Sequence, residues 1–173
     1  MLFFIYFCFL VANIFERLYN FVMRILVLAQ SNGAVFNIER AIKKASPDVI
    51  IHLGGGLKDF SKIRTDIPVY FSKGPHDFFV RAPKVAKILL EKVPAIYTYG
   101  KHFETNKGLG KLTQFAKDEK AKLVLYAYGE SGYFERQSIV FVNPGEINKK
   151  QHKFAVIDIN NQNIVVHHES VNF

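Results

Sequence analysis

Side chains that could bind a metal ion occur in short turns, each of which follows an apolar segment. His76 and Asp77 are adjacent in one turn, and His102 stands in another. Two imidazoles and a carboxylate suit a single divalent transition ion. We therefore treat His76, Asp77 and His102 as a possible residual polar site. Other histidines are weaker candidates for metal ligands. His52 falls within an apolar strand, as a core residue would, and His167-His168 is predicted to be an exposed pair near the C-terminus, away from the site.

Glycine-rich turns offer a second kind of chemistry, because backbone N–H groups in such turns can bind anions. Gln30-Ser31-Asn32-Gly33 and Gly54-Gly55-Gly56 both follow apolar segments, and Lys73 and Lys101 are expected nearby. A phosphate or nucleotide could bind there without metal. The alternative, which the sequence favours, is that these glycines only permit the tight turns of the fold.

Short apolar strands alternate with amphipathic helices from Met23 onward, the pattern of βαβ units. Helical segments are predicted over 35–45, 58–64 and 108–119, with Asn32 as a candidate cap of the first. Strands are predicted over 25–29, 48–53, 68–72, 85–91, 95–99, 123–128, 138–142, 154–159 and 164–167. This order predicts an α/β domain with two packed mixed β-sheets flanked by helices.

The order of these turns resembles that of the calcineurin-like metallophosphoesterases, especially their small bacterial and archaeal phosphodiesterases. Asn143-Pro144-Gly145 matches one turn of that family outright. A frame of glycines also matches: Gly33, Gly54, Gly74, Gly100 and Gly129. The matching stretches run from 23–33 to 141–146, so the resemblance covers nearly all of 23–173. It implies a metallophosphoesterase-like sandwich.

The resemblance also implies a site for two divalent ions of the manganese, zinc or iron type, held by Asp, His and Asn side chains. The ions of such a site activate water for attack on phosphorus. The positions that match these ligands hold other residues here: Gln30, Asn32, Gly55, Pro75, Tyr99, Glu130 and Gly132. Neutral amides are poor ligands for such ions, and glycine and proline offer no donor atom. One carboxylate, Glu130, cannot offset two dications, so we expect no metal, no cofactor and no catalytic residue.

These features predict a catalytically inactive metallophosphoesterase-like protein, a pseudoenzyme that acts as a binding or scaffold module. A retromer subunit that resembles the same family serves mainly as a protein-interaction platform, an analogy that identifies no partner here. Two alternatives stay open: a metal-dependent phosphodiesterase with a rearranged site, and a metal-free phosphate- or nucleotide-binding protein. The expected partner is a protein or a phosphate-containing ligand.

The chain of 173 residues has a formal net charge of +8 and a pI of about 9.5. Its lysines are scattered rather than interleaved with aromatic residues, so the sequence does not favour nucleic acid as a partner. The single cysteine excludes a disulfide framework and fits a cytoplasmic protein.

Residues 1–22 differ in kind from the domain predicted over 23–173. Their uncharged run, 1–15, is shorter than the ~20 residues that a membrane-spanning helix needs. Three interpretations stay open for this apolar extension: a misassigned start upstream of Met23, a membrane-associating segment, and a helix docked on the domain.

Overall fold

The computed structural model describes residues 22–171, so the interpretations of the N-terminal extension lie outside the described residues except for Val22. The strands are β1 (Met23–Leu28), β2 (Val49–His52), β3 (Val69–Phe71), β4 (Val85–Leu90), β5 (Val93–Thr98), β6 (Leu123–Leu125), β7 (Gly132–Arg136), β8 (Ile139–Asn143), β9 (Lys153–Asn160) and β10 (Asn163–Ser170). Two α-helices are described, α1 (Val35–Ala45) and α2 (Gly110–Asp118), with short 3₁₀ helices at Leu57–Lys62 and Lys101–Phe103.

The first sheet has the strand order β10-β9-β1-β2-β3. β1 pairs in parallel with β2, and β2 pairs in parallel with β3, whereas β9 runs antiparallel to β1. The side chains from Ile25 to Leu28 are fully buried. A strand covered on both faces needs apolar residues at every position, which explains why β1 is apolar throughout its buried part.

The second sheet has the order β4-β5-β6-β8-β7. β5 pairs in parallel with β6, and β6 pairs in parallel with β8. The two edge strands are antiparallel to their neighbours: β4 to β5, and β7 to β8. The hairpin between β4 and β5 turns through Glu91 and Lys92, whose φ angles are 43° and 65°. Two consecutive positive φ angles are typical of a two-residue hairpin turn that matches the strand twist.

The two sheets pack face to face around a central core, in which Val27 and Ile51 of the first sheet belong to one cluster with Tyr97 and Leu125 of the second. Helix α1 covers the outer face of the first sheet, with Ile38 in the cluster formed there. Helix α2 covers the outer face of the second sheet in the same way. The layers are therefore helix, sheet, sheet, helix, and the predicted sandwich of two mixed sheets is confirmed.

The start of α1 differs from the prediction. The residue that precedes the helix is Ala34, and no side chain caps it. Asn32 instead has a φ of 44° in the preceding turn, and the N–H of Ala34 donates to the carbonyl of Ser31 at 3.0 Å. The prediction that Asn32 caps α1 was wrong because the turn after β1 is longer than the capping pattern requires.

None of the helices found within 22–171 combines the length and the apolar composition needed to cross a bilayer.

Candidate functional site

The turns that carry the residues of interest follow the parallel strands of both sheets. β1, β2 and β3 point the same way, as do β5, β6 and β8. The carboxyl ends of parallel strands meet at one edge, where open α/β sheets bind ligands. Backbone contacts join the two sheets there, since the N–H of Ile147, after β8, donates to the carbonyl of Ala29, after β1, at 3.0 Å.

Three of the seven positions matched to metal ligands lie in direct contact. The N–H of Gln30 donates to the carbonyl of Gly54 at 2.9 Å, and the N–H of Asn32 donates to that of Gly55 at 3.3 Å. A Cβ atom on Gly55 would lie 3.1 Å from Cα of Gln30. The turns after β1 and β2 are therefore packed backbone against backbone, and Gly55 has a φ of 80° that a side chain would strain.

The carboxylate of Asp77, which follows β3, lies at the centre of these turns and is 2% exposed. Its Oδ2 accepts the N–H groups of Gly55 at 2.8 Å and Gly74 at 3.0 Å. Its Oδ1 accepts those of Gly56 and Leu57, both at 3.0 Å. A carboxylate has about four lone-pair sites, so all are used. The anion held by the glycine-rich turn is therefore the protein's own carboxylate, which corrects the hypothesis that these amides bind an external phosphate.

The glycines next to Asp77 allow two backbones to approach closely. A Cβ atom on Gly54 would lie 2.4 Å from the backbone N of Gly74, and one on Gly74 would lie 2.6 Å from that of Gly55. No side chain fits in either space. This approach brings the N–H groups of two different turns to one carboxylate.

A buried chain of polar groups runs beneath the same turns. Gly54 N–H donates to Nδ1 of His52 at 3.1 Å, which leaves the proton on Nε2, 3.3 Å from Oγ of Ser31. The Ser31 hydroxyl donates to Oδ2 of Asp59 at 2.6 Å, and the same oxygen accepts the N–H of Gly33 at 2.8 Å. Sequence reasoning missed the pairing of Ser31 with Asp59, because only the fold brings these two turns together.

Burial lowers the pKa of His52 to about 4, against the opposing influence of Asp77 and Asp59. The imidazole is therefore neutral at neutral pH, and the prediction of a core histidine is confirmed. Ser31 is fully buried as well, so its hydroxyl cannot reach a substrate.

Pro75 and Tyr99, two further positions matched to ligands, line one cavity of about 260 Å³ together with His102. The ring of Tyr99 stacks on that of Tyr128, with centroids 5.7 Å apart. Burial, with smaller effects of nearby acidic groups and Tyr128, raises the pKa of Tyr99 to about 12. Its hydroxyl therefore stays protonated at neutral pH.

Glu130 and Gly132, the last two matched positions, are not among the residues that line this cavity. Glu130 is exposed, and Gly132 begins β7 opposite Asn143. Asn143 holds this region together, because its side-chain amide donates to the carbonyl of Gly129 at 3.3 Å and its Oδ1 accepts the N–H of Gly145 at 3.0 Å. The Asn143-Pro144-Gly145 turn therefore fixes the segment after β6.

The possible residual polar site does not form a metal centre. His76 and His102 are exposed, and their rings contact those of Phe78 and Phe103 at centroid distances of 6.3 and 5.3 Å. Across the part of the chain that the structure describes, no group of three or more His, Cys, Asp or Glu side chains could hold a metal ion. The donor set present does not fit the two-ion centre that the resemblance implies.

No protein-family model and no curated protein matches this sequence. Solved structures do match. A conserved protein of Streptococcus pneumoniae TIGR4, described as a predicted phosphoesterase, is 24% identical over 87% of this chain and 90% of its own, with a TM-score of 0.71. Vacuolar protein sorting 29 of Cryptosporidium parvum is 13% identical over 88% of this chain and 100% of its own, with a TM-score of 0.69.

YfcE, a phosphoesterase of E. coli, is 16% identical over 87% of this chain and 100% of its own, with a TM-score of 0.56. Identities this low carry information on the fold alone. Together with the sheet orders and the layering described above, these likenesses show that the chain has the calcineurin-like metallophosphoesterase fold.

Proposed function

We propose that this protein is a catalytically inactive member of its fold and acts as a binding or scaffold module. The observation that carries the proposal is the state of Asp77. Its carboxylate accepts four backbone hydrogen bonds and has no lone-pair site left for a metal ion.

The positions matched to metal ligands, to which Asp77 does not belong, support the same proposal. Gln30 and Asn32 offer only neutral amide oxygens, Gly55 and Pro75 offer no side-chain donor, and the Tyr99 hydroxyl is neutral at neutral pH. Divalent transition ions prefer imidazole and carboxylate ligands. A pair of dications would therefore gain too little binding energy here to stay bound.

The main alternative is a metal-dependent phosphodiesterase that uses His76, Asp77 and His102. Asp77 would then have to release its backbone donors, and each buried N–H group left without an acceptor costs about 1–3 kcal/mol. This cost weighs against a rearranged site.

The binding role is supported by two exposed aromatic side chains beside Asp77. Phe78 is 73% exposed and Phe79 is 85% exposed. The ammonium group of Lys58 lies 4.7 Å from the ring centroid of Phe79. Adjacent exposed aromatic residues are typical of surfaces that contact another protein.

Elemental analysis of the full-length protein, purified without chelator, tests the proposal. We expect well under one manganese, zinc or iron ion per chain, and hydrolysis of bis-p-nitrophenyl phosphate no faster than in buffer with metal. Added manganese should leave the melting temperature nearly unchanged, whereas a ligand at 100 times its dissociation constant would add ~2.7 kcal/mol.

Two ions per chain would overturn the proposal. So would a metal-dependent turnover that disappears in both His76→Ala and His102→Ala, which change exposed side chains. Turnover that neither variant affects indicates a contaminating enzyme. Asp77→Ala is unsuitable for this assay, because the carboxylate holds the turns together.

A further inference from the structure

The turn that begins at Asp77 presents two phenylalanine side chains to solvent. The N–H of Val80 donates to the carbonyl of Asp77 at 3.3 Å, which closes a β-turn with Phe78 and Phe79 at its two central positions. These two side chains are more exposed than any other large apolar side chain within 22–171. Two aromatic rings therefore project from the tip of one turn, 77–80.

The base of this turn is held firmly. Asp77 is anchored by the four backbone hydrogen bonds that its carboxylate accepts. The N–H of Lys73 donates to the carbonyl of Pro83 at 2.7 Å, which closes the segment 73–83 at its two ends. Side chains left in water contribute little to the hydrophobic stabilisation of a fold. The exposure of the two rings is therefore not explained by the stability of the domain.

Positively charged residues accompany the two rings. The ammonium group of Lys58 lies 4.7 Å from the ring centroid of Phe79, and Arg81 and Lys84 are exposed just beyond the turn. The only acidic residue of the segment 73–84 is Asp77, whose carboxylate is occupied by backbone N–H groups. None of the salt bridges found within 22–171 involves Lys58, Arg81 or Lys84. The surroundings of the rings therefore carry net positive charge.

This combination fits the surface of a lipid bilayer better than it fits a protein interface. The buried centres of protein interfaces are depleted of charged residues, and lysine is among the most depleted. Here a lysine ammonium group lies against one of the two rings. At a membrane surface both features are favourable, because apolar side chains enter the boundary of the acyl chains while lysine and arginine stay at the level of anionic headgroups. The long stems of lysine and arginine allow this arrangement.

We propose that the turn 77–80 inserts Phe78 and Phe79 into the surface of an anionic membrane, a proposal that rests on the proposed binding function and names the surface bound. Lys58, Arg81 and Lys84 attract the turn to anionic lipids, and burial of the two rings retains it there. The turn is already closed in the protein without lipid, so insertion requires little ordering of the backbone.

A tryptophan at the tip of the turn tests insertion directly, because the chain contains no tryptophan. Phe79→Trp in the full-length protein places the probe at the tip. The matched control Leu89→Trp places it at a 67% exposed position, opposite the start of β5 and so at the other end of the sandwich. The probes are vesicles of phosphatidylserine and phosphatidylcholine in equal parts.

With these vesicles, the emission of Phe79→Trp should shift to shorter wavelength and should be quenched by brominated acyl chains. The emission of Leu89→Trp should change little. A response of Phe79→Trp no larger than that of Leu89→Trp would overturn the proposal and leave a protein as the partner of the turn.

Co-sedimentation with the same vesicles measures the affinity. F78S/F79S should bind at least about tenfold more weakly than the parent, because the two rings supply the apolar area that is buried in lipid. The control L89S/V165S changes two exposed apolar residues elsewhere and should bind as the parent does. Binding that F78S/F79S leaves unchanged would come from another part of the chain, such as residues 1–21, and would overturn the proposal. If F78S/F79S does not fold, the emission of Phe79→Trp decides.

The charge requirement is tested with glutamine variants. K58Q/R81Q/K84Q should lose at least about tenfold in affinity, since each basic residue near an anionic surface contributes attraction. Raising the salt to ~1 M should release the parent, because it shortens the screening length to ~3 Å. A matched control replaces two lysines and one arginine at exposed positions outside the segment 73–84 and its neighbour Lys58: K43Q/K117Q/R136Q. Equal losses in both variants would reduce the effect to overall charge and overturn the proposed surface.

Metal analysis keeps this proposal apart from the proposed function. A protein that has neither ions nor turnover and does not bind the vesicles refutes the membrane contact alone. Bound ions with turnover refute the non-catalytic function, whatever the vesicles show.

Discussion

Acid should destabilise this protein through His52, and the structure provides the magnitude. The imidazole is fully buried, and both of its nitrogens are within hydrogen-bond distance of Gly54 N–H and the Ser31 hydroxyl. Burial lowers the pKa of His52 from 6.5 to about 4. Below pH 6.5 the unfolded chain therefore binds a proton that the folded protein does not bind. The free energy of unfolding consequently decreases as the pH is lowered.

The loss extends from pH 6.5 down to about pH 4, where the folded protein also takes up the proton. The difference of ~2.5 pKa units, at ~1.4 kcal/mol per unit, gives about 3 kcal/mol for this one group. Above pH 6.5 the group makes no pH-dependent contribution, because it is neutral in both states.

Urea denaturation followed by circular dichroism, at intervals between pH 7 and pH 4, measures this effect. His52→Gln removes the titrating group and keeps a donor for Ser31, so it should lower stability at pH 7 yet show a shallower fall in acid. The control His167→Gln, at an exposed position, should keep the slope of the parent. Carboxylates also titrate in this range, so the difference between parent and variant is decisive. Parallel curves for the parent and His52→Gln would refute the assignment.

Two further predictions concern the turns around Asp77, and both are measured by urea denaturation. Asp77→Ala should lower the free energy of unfolding by about 3–5 kcal/mol, because it leaves buried N–H donors without an acceptor, and Asp77→Asn should cost less. Equal stability of Asp77→Ala and the parent would contradict the hydrogen bonds described. Gly54→Ala should cost about 1–3 kcal/mol more than Gly108→Ala. Both glycines have positive φ, but only at Gly54 would the new Cβ meet a backbone atom, 2.4 Å away.

The sandwich could be predicted because its elements have strong local patterns. β1 is a continuous apolar run, and α1 has apolar residues at helical spacing, so both were identified close to their observed bounds. β7 was missed because its residues are largely exposed and it exists through pairing with β8 at a sheet edge. The hydrophobic pattern within a short segment does not show which other strand it will pair with.

The contact of Gln30 and Asn32 with Gly55 could be expected, since adjacent parallel strands bring their carboxyl ends together. The role of Asp77 could not be foreseen in the same way. A carboxylate in a glycine-rich turn can face a metal ion or backbone amides, and the choice depends on N–H directions that only the folded turns define. The loss of catalysis itself stays a prediction that metal analysis will test.

The four backbone hydrogen bonds to Asp77 affect how any ligand binds at the edge where the parallel strands end. Because a permanent internal carboxylate satisfies the amides of Gly55, Gly56 and Gly74, these turns are ordered before a ligand arrives. A partner that docks beside them does not have to order a mobile loop. Ordering a loop on binding costs conformational entropy and so weakens the affinity. Association at this edge should therefore resemble the meeting of rigid surfaces, with affinity set by the contacts made rather than by coupled folding.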